Sequence, residues 1–232
     1  MPSHNILDDP DRQLVIWADT DFANWRSTGV SKEPWTYDWL SDFDETVCLY
    51  NIGACVGTYS IMAAARGASV YAFEPLPVNI EALHRNINAN NLQSKVVVFP
   101  FALSNMQEIK TFYIAEGYSV IAGYGLLSSD PVTKGLPKNS SIRLPSFRLN
   151  DIALSIKKPT HLLIDVEGGE VEVLQGADML LSGSSIESIL IEEQSDTEDE
   201  VEEILNSFDF KAVESFAPRN LMKCVLYNRE YK

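Results

Sequence analysis

Short apolar runs alternate with helical patterns along most of the chain from residue 47 onward. Residues 47–50 form one such run, which is followed by a turn containing Gly53 and Gly57 and then by an Ala- and Met-rich helical pattern over 58–66. A strand, a glycine turn and a helix in this order form the unit from which parallel sheets are built. The pattern therefore predicts an α/β fold with an open, mostly parallel, doubly wound sheet.

The same alternation predicts the remaining elements. Further strands are predicted at residues 69–73, 95–103, 109–115, 161–166 and 186–192, and further helices at 77–90, 171–181 and 199–208. Pro100 predicts a bend in its strand, and 109–115 alternates like a strand of an antiparallel hairpin. Residues 211–216 and 222–228 predict an antiparallel hairpin at the end of the chain.

Two segments depart from this rhythm. Residues 1–46 contain Trp17, Trp25, Trp35 and Trp39, and we interpret them as an aromatic cover, with a short helix over 34–43, in front of a single domain over 47–232. Residues 116–145 are rich in Gly, Ser and Pro, and a loop of this length inside a compact domain is often functional. They are interpreted as a lid or substrate wall, or as a plain excursion of the chain.

Composition narrows the possible partners. The formal net charge is −15, which disfavours binding to nucleic acid and to anionic membrane surfaces. The sequence contains no run of about 18 apolar residues, the length needed to span a bilayer. The N-terminal residues do not resemble a secretory signal, and the three cysteines, Cys48, Cys55 and Cys224, suggest neither a disulfide framework nor a zinc site. We therefore expect a cytoplasmic protein.

Candidate chemistry lies where predicted strands end, because ligands of open parallel sheets bind beyond the carboxyl ends of the strands. Gly53 and Gly57 allow close backbone approach to a ligand, although their spacing is also typical of helix packing. Glu74 ends the second strand, where a carboxylate can accept hydrogen bonds from vicinal ribose hydroxyls. The alternative for Glu74 is a structural role at the end of the strand beside Pro75.

A second set of acidic residues follows the later strands. Asp165 and Glu167 end the strand 161–166, and we expect them to face a ligand, whereas Glu170 and Glu172 are expected to be solvated first-turn residues. If the strands predicted at 161–166 and 186–192 pair, Glu192, in preference to Glu193, would lie beside Asp165. Such a cluster could hold a divalent cation, share a proton or form a solvated edge. None of the three histidines is placed as a catalytic base.

At these residues the sequence resembles the FkbM family of S-adenosylmethionine (SAM)-dependent methyltransferases. The resemblance covers about Lys32 to Glu193, and the order and spacing of its motifs make it specific. The motifs are KEPWTYDWL, NIGACVGTYS, AFEPLPVNIEALHRNI, FALSN, FRLND and IDVEGGEVEVLQGA.

The resemblance implies a Rossmann-like class I methyltransferase sheet of seven strands, with SAM as cofactor and S-adenosylhomocysteine as product. The turn after the first strand would then cradle the methionine end of SAM, Glu74 with Pro75 would hold the ribose, and the segment after the third strand would border the adenine. The cofactor residues implied in these segments are Asn51, Gly53, Ala54, Cys55, Gly57, Phe101, Ala102 and Leu103.

Asp165 would face the site of methyl transfer, and we expect it to act as the base, with Glu167 or Glu192 assisting. No protein metal ligands are assigned, and the use of a divalent metal is left open. The family pattern has Asp where this chain has Asn51, so the ionic attraction to the SAM ammonium is lost. It usually has Ala at the position of Gly169.

The expected activity is O-methylation of a hydroxyl on a sugar, glycan or small natural product. Two alternatives remain open. One is a nicotinamide-dependent oxidoreductase, which shares the glycine turn and the ribose-binding acid but would have the third glycine of a dinucleotide-binding turn. The other is a binding module with a methyltransferase fold, which would lack turnover whether or not it binds SAM. The identity of the acceptor and the oligomeric state are not readable from the sequence.

Overall fold

A computed structural model describes residues 4–17, 26–114, 125–126, 141–219 and 222–231. The described residues up to Pro100 form one compact unit, unit 1, and those from Phe101 onward form a second, unit 2.

Unit 1 contains five strands and four helices in its described part. They are β1 (His4–Ile6), β2 (Val15–Trp17), α1 (Gly29–Lys32), α2 (Pro34–Ser41), β3 (Cys48–Ile52), α3 (Thr58–Ala65), β4 (Ser69–Phe73), α4 (Pro77–Ala89) and β5 (Val96–Phe99). β3 pairs with β4 and β4 with β5, both in parallel. The strand–turn–helix unit predicted from residue 47 onward is confirmed, and every residue of β3 is buried.

Unit 2 contains eight strands and four helices in its described part. They are β6 (Ala102–Leu103), β7 (Glu108–Ile114), β8 (Gly125–Leu126), β9 (Ser141–Phe147), α5 (Leu149–Ala153), β10 (His161–Ile164), α6 (Glu170–Gln175), α7 (Asp178–Ser182), β11 (Ser188–Gln194), α8 (Glu198–Ser207), β12 (Phe210–Arg219) and β13 (Met222–Arg229). β10 and β11 are parallel, whereas β13 runs antiparallel to both β11 and β12.

The main sheet has seven strands in the order β12-β13-β11-β10-β3-β4-β5. The fold class predicted from the sequence, a mostly parallel α/β sheet with a terminal antiparallel hairpin, is confirmed. Separate small sheets are formed by β1-β2 and by β6-β9-β7-β8. Within the described residues, no helix is both long enough and apolar enough to cross a membrane.

The hairpin of β1 and β2 is attached to α4 by two asparagine side chains. Asn90 Oδ1 accepts from Val15 N at 2.8 Å while its Nδ2 donates to Val15 O at 2.7 Å, and Asn86 Oδ1 accepts from Trp17 N at 2.8 Å. Asn86 Nδ2 also donates to Val56 O in the turn after β3. Asn86 and Asn90, one helical turn apart, thus supply side-chain hydrogen bonds to the backbone of β2 of the kind that a neighbouring strand would supply. Trp25 of the predicted aromatic cover lies outside the described residues.

Three sequence predictions require correction. The strand predicted at 95–103 is two strands, because β5 ends at Phe99 and β6 pairs instead with β9. The predicted loop 116–145 contains β8 and the first part of β9, while 116–124 and 127–140 lie outside the described residues. The helix predicted at 171–181 is interrupted at Gly176.

Gly176 explains the interruption, because its backbone is engaged elsewhere in unit 2. Its carbonyl accepts a hydrogen bond from Asn150 N at 3.0 Å, and a Cβ at this position would lie 2.1 Å from Ser104 O. The backbone of Gly176 therefore packs against a neighbouring segment at a distance that only glycine permits.

Candidate functional site

The turn after β3 is fastened directly to the end of β4. The amides of Gly53 and Ala54 both donate to Phe73 O, at 2.9 and 3.0 Å, and Gly53 adopts a φ of +85°. Glu74 follows Phe73, so the glycine turn and the acidic residue predicted from the sequence lie side by side. The structure therefore brings these two predicted features together, and their role toward a cofactor stays a prediction.

Glu74 takes part in the folding of this turn through its own carboxylate. Its side chain is 4% exposed, and Oε2 accepts from Cys55 N at 2.8 Å. Oε1 accepts from Leu76 N at 2.9 Å and from Asn79 Nδ2 at 3.2 Å. Cys55 has a φ of +52°, a strained conformation for a residue with a side chain, and strain of this kind is concentrated at functional sites.

Burial raises the pKa of the Glu74 carboxyl above its ordinary value, and the hydrogen bonds from Leu76, Asn79 and Cys55 lower it in part. The net direction is upward because removal from water disfavours the charged form. Glu74 therefore binds a proton at a higher pH than an exposed glutamate does.

Gly57 closes the turn and precedes α3. Its φ is +91°, and a Cβ there would lie 2.2 Å from Leu83 Cδ1 of α4. Gly57 is therefore required both by the backbone conformation of the turn and by the close packing against α4. The first turn of α3 comes directly after Gly57. Backbone N–H groups at the start of a helix have no partner within the helix and can bind anionic groups.

Asn51 and Pro75 occupy the same region of unit 1. Asn51 is the fourth residue of β3, is 2% exposed and donates from Nδ2 to Ser60 Oγ at 2.8 Å. Its amide is thus tied to α3, where an aspartate could only accept. Pro75 is half-buried and separates Glu74 from the start of α4.

The residues expected to border adenine, Phe101 with Ala102 and Leu103, belong to unit 2. Ala102 and Leu103 are buried and pair with β9, and the Phe101 ring lies 4.6 Å from the ring of Phe147. Their role toward a cofactor stays a prediction.

Asp165, Glu167 and Glu192 form an acidic cluster in unit 2. The parallel register matches Ile164 with Ile191, so the residues that follow these two lie side by side. One carboxylate oxygen from each of the three lies within 4.8 Å of the others, and all three side chains are half-buried. Oxygen atoms at this spacing can bind a divalent cation or share a proton, both of which relieve repulsion between the carboxylates.

Glu193 is separated from this cluster by the alternation of the strand. It is fully buried, accepts from Tyr227 Oη at 2.7 Å and lies 3.2 Å from Lys223 Nζ. Burial raises the pKa of its carboxyl, while Tyr227 and Lys223 lower it in part. The preference for Glu192 over Glu193 as the partner of Asp165 agrees with this placement.

Glu170 differs from its prediction as a solvated residue, because it is 1% exposed. Its Oε1 accepts from Gly168 N at 2.9 Å, across a turn in which Glu167 has a φ of +57° and Gly168 one of +103°. The carboxylate folds back onto the turn instead of reaching solvent. It therefore fastens the segment that carries Asp165 and Glu167.

Asn79 is the residue of the site that sequence reasoning missed. It lies five residues after Glu74, in the first turn of α4, and is 2% exposed. A buried amide beside an acid would have been an available signal, since polar side chains at such positions need partners.

Comparisons with known proteins agree with this architecture. A family model described as the methyltransferase FkbM domain matches residues 51–218. A curated relative, hexuronic acid methyltransferase AglP from Haloferax volcanii, is 26% identical over 155 residues, which is 66% of this chain and 58% of that protein.

Two solved structures are similar in fold. Methyltransferase FkbM from Methylobacillus flagellatus KT has a TM-score of 0.53 at 17% identity, over 80% of this chain and 44% of that one. Precorrin-6y C5,15-methyltransferase from Geobacter metallireducens GS-15 has a TM-score of 0.52 at 13% identity, over 97% of this chain and 98% of that one. The chain thus spans less than two thirds of AglP and less than half of the FkbM structure.

Proposed function

This chain belongs to the FkbM family of methyltransferases, and we propose that it transfers a methyl group from SAM to a hydroxyl of a sugar, glycan or small natural product. The observation that carries the proposal is the hydrogen bond between Cys55 N and Glu74 Oε2, which joins the glycine turn to the acidic residue. The AglP relative, a sugar-acid methyltransferase by name, supports a carbohydrate acceptor.

The residues of unit 1 fit an adenosyl cofactor. Glu74 presents a buried carboxylate, which suits hydroxyl donors, and Gly53 and Gly57 place no side chain at either end of the turn. The buried Asn51 amide can accept a hydrogen bond from an ammonium group without the charge that an aspartate would add. Cofactor affinity then depends chiefly on Glu74 and the backbone of the turn.

Bound SAM would supply a methyl group on a positively charged sulfur, and its carbon–sulfur bond would break as the acceptor oxygen bonds to the methyl carbon, with S-adenosylhomocysteine as the leaving group. In the proposed reaction, Asp165 accepts the proton that leaves the acceptor hydroxyl as the new carbon–oxygen bond forms. Glu167 and Glu192 keep this proton within the cluster, or hold a divalent cation that binds the acceptor oxygens. An anionic acceptor such as a hexuronate would need the cation, because three carboxylates repel it.

Two rival functions lead to different observations. A nicotinamide-dependent oxidoreductase would be stabilised against heat by NAD and not by SAM. An inactive member of the fold would bind SAM and show no turnover with any hydroxyl acceptor.

The proposal is tested by following a labelled methyl group from SAM to a neutral hexoside, a hexuronide and an amino sugar. We expect label on a hydroxyl, and a fall of about 10²- to 10⁴-fold in kcat for Asp165→Asn. Asp151→Asn, which alters an exposed residue of α5, is the matched control and should leave kcat unchanged.

Two outcomes overturn parts of the proposal. Transfer to the amino group alone would reject O-methylation, and unchanged turnover in Asp165→Asn would reject its role as the base. Chelation by EDTA separates the two uses of the cluster, because loss of turnover that Mg²⁺ restores indicates a cation, whereas indifference to EDTA indicates proton transfer alone.

A further inference from the structure

The Glu74 carboxylate has little hydrogen-bonding capacity left for a ligand. An ionised carboxylate offers about four acceptor positions. Within the described part of the chain, three are used by Cys55 N, Leu76 N and Asn79 Nδ2. A ribose presents two neighbouring hydroxyl donors, so a second acceptor is needed beside Glu74 if both are to be bound.

The Asn79 side chain supplies an acceptor at this place. Because an ionised carboxylate can only accept, the amide nitrogen of Asn79 must face Glu74, and the orientation of the amide is thereby fixed. Its Oδ1 consequently points to another neighbour. Among the residues that the structure describes, this buried oxygen receives no hydrogen bond.

A buried acceptor without a donor is costly for the fold, by about 1–3 kcal/mol. An apolar side chain of similar size would avoid that cost at a position that is 2% exposed. An asparagine is therefore favoured at this position if Oδ1 receives a hydrogen bond from a bound ligand. Hydroxyl donors of a ligand are expected here, because Asn79 lies beside Glu74.

We propose that Asn79 is a second ribose-binding residue, whose Oδ1 accepts a hydrogen bond from one hydroxyl while its Nδ2 holds Glu74 in place to accept from the other. This inference rests on the proposed function, since it takes the ligand to be an adenosyl nucleoside. It assigns specificity for the intact vicinal diol to the pair of Glu74 and Asn79, and not to Glu74 alone.

A purely structural role for Asn79 makes a different prediction. If Asn79 only positioned Glu74, its removal would act through the hydroxyl that Glu74 binds, so Asn79→Ala and Glu74→Gln would both have a reduced effect on the same deoxy analogue. If Oδ1 accepts from the other hydroxyl, the effect of Asn79→Ala must be smaller for the analogue that lacks that hydroxyl, whereas the effect of Glu74→Gln is smaller for the opposite analogue.

The test is a calorimetric titration of the full chain with S-adenosylhomocysteine and with its 2′-deoxy and 3′-deoxy analogues. For Asn79→Ala we expect affinity for S-adenosylhomocysteine to fall by about three- to tenfold more than affinity for one deoxy analogue, and for Glu74→Gln we expect the same difference with the other deoxy analogue. Asn88→Ala, at an exposed position of the same helix, is the control and should bind all three ligands like the unaltered protein.

Equal weakening for all three ligands, no weakening, or a reduced effect on the same analogue in Asn79→Ala and Glu74→Gln would overturn the inference and leave the proposed function standing. Failure of the unaltered protein to bind S-adenosylhomocysteine would overturn the proposed function and this inference with it. If Asn79→Ala does not fold, Asn79→Ser provides the same comparison with a side chain that keeps a hydrogen-bonding group.

Discussion

The backbone N–H of Cys55 donates a 2.8 Å hydrogen bond to Oε2 of Glu74, 19 residues further along the chain. This bond joins the two features that the sequence predicts as a cofactor site, the glycine turn after β3 and the acid at the end of β4. It also fixes a strained residue, because Cys55 adopts a φ of +52°. The acid therefore shapes the turn as well as offering a charge to a ligand.

The raised pKa of Glu74 makes cofactor affinity depend on pH. The ionised form is the one that accepts hydroxyl hydrogen bonds, so affinity should be constant above the raised pKa. Below it, affinity should fall by about tenfold for each pH unit, at a higher pH than for an ordinary glutamate. Titrations with S-adenosylhomocysteine between pH 4.5 and 8 measure this, and Glu74→Gln should bind weakly and without the pH dependence. An identical pH profile in the two proteins would contradict the assignment.

Gly57 should be intolerant of a side chain. An alanine there must adopt a φ near +91° and displace the end of the buried Leu83 side chain, so we expect Gly57→Ala to lose about 1–3 kcal/mol of unfolding free energy. Gly169→Ala is the control, since its φ is −109° and the nearest atom to an added Cβ lies at 3.6 Å. Denaturant unfolding compares the two, and equal stability would show that the turn is not held as described.

Glu170 should affect turnover through the segment it fastens. Glu170→Ala removes the acceptor for Gly168 N, which frees the turn carrying Asp165 and Glu167, and we expect kcat to fall by about tenfold or more. Glu170→Gln keeps an acceptor oxygen and should restore most of the activity. Glu172→Ala, two residues further along α6, serves as the control, and a similar loss in that variant would argue against a specific role for Glu170.

His161 should make the fold less stable in acid. Burial lowers the pKa of its imidazole to about 4, below the ordinary value near 6.5. Between these values the unfolded chain binds a proton that the folded chain does not, so this residue lowers stability by on the order of 3 kcal/mol as the pH falls from 7 to 4. Unfolding of His161→Gln should show a weaker pH dependence. His84→Gln, at an exposed position, should retain the full dependence, and a reversed ranking would contradict the prediction.

Local patterns were sufficient for much of the fold. Apolar runs bounded by glycine and proline predict β4 and β10, because a strand buried on both faces has little tolerance for polar residues. The neighbouring positions of Asp165 and Glu192 follow from parallel pairing, which places the carboxyl ends of adjacent strands together.

Features that depend on distant partners were not predictable in this way. β2 has three residues, too few for a periodicity, and it is held by Asn86 and Asn90, which lie about 70 residues away. The burial of Glu170 and the interruption of the helix at Gly176 depend on backbone groups that approach from other segments. Such contacts override local preference and leave little trace in the pattern of apolar positions.

The central claim, that the turn and Glu74 bind an adenosyl cofactor, is tested most directly by calorimetric titration of S-adenosylhomocysteine and of NAD into the unaltered protein and into Glu74→Gln at pH 8. Our account predicts that S-adenosylhomocysteine binds and NAD does not. The affinity for S-adenosylhomocysteine should fall by about tenfold or more in Glu74→Gln. Glu45→Gln, altered at an exposed residue, should bind it like the unaltered protein. Binding of NAD without S-adenosylhomocysteine, or equal affinity in Glu74→Gln, would contradict it.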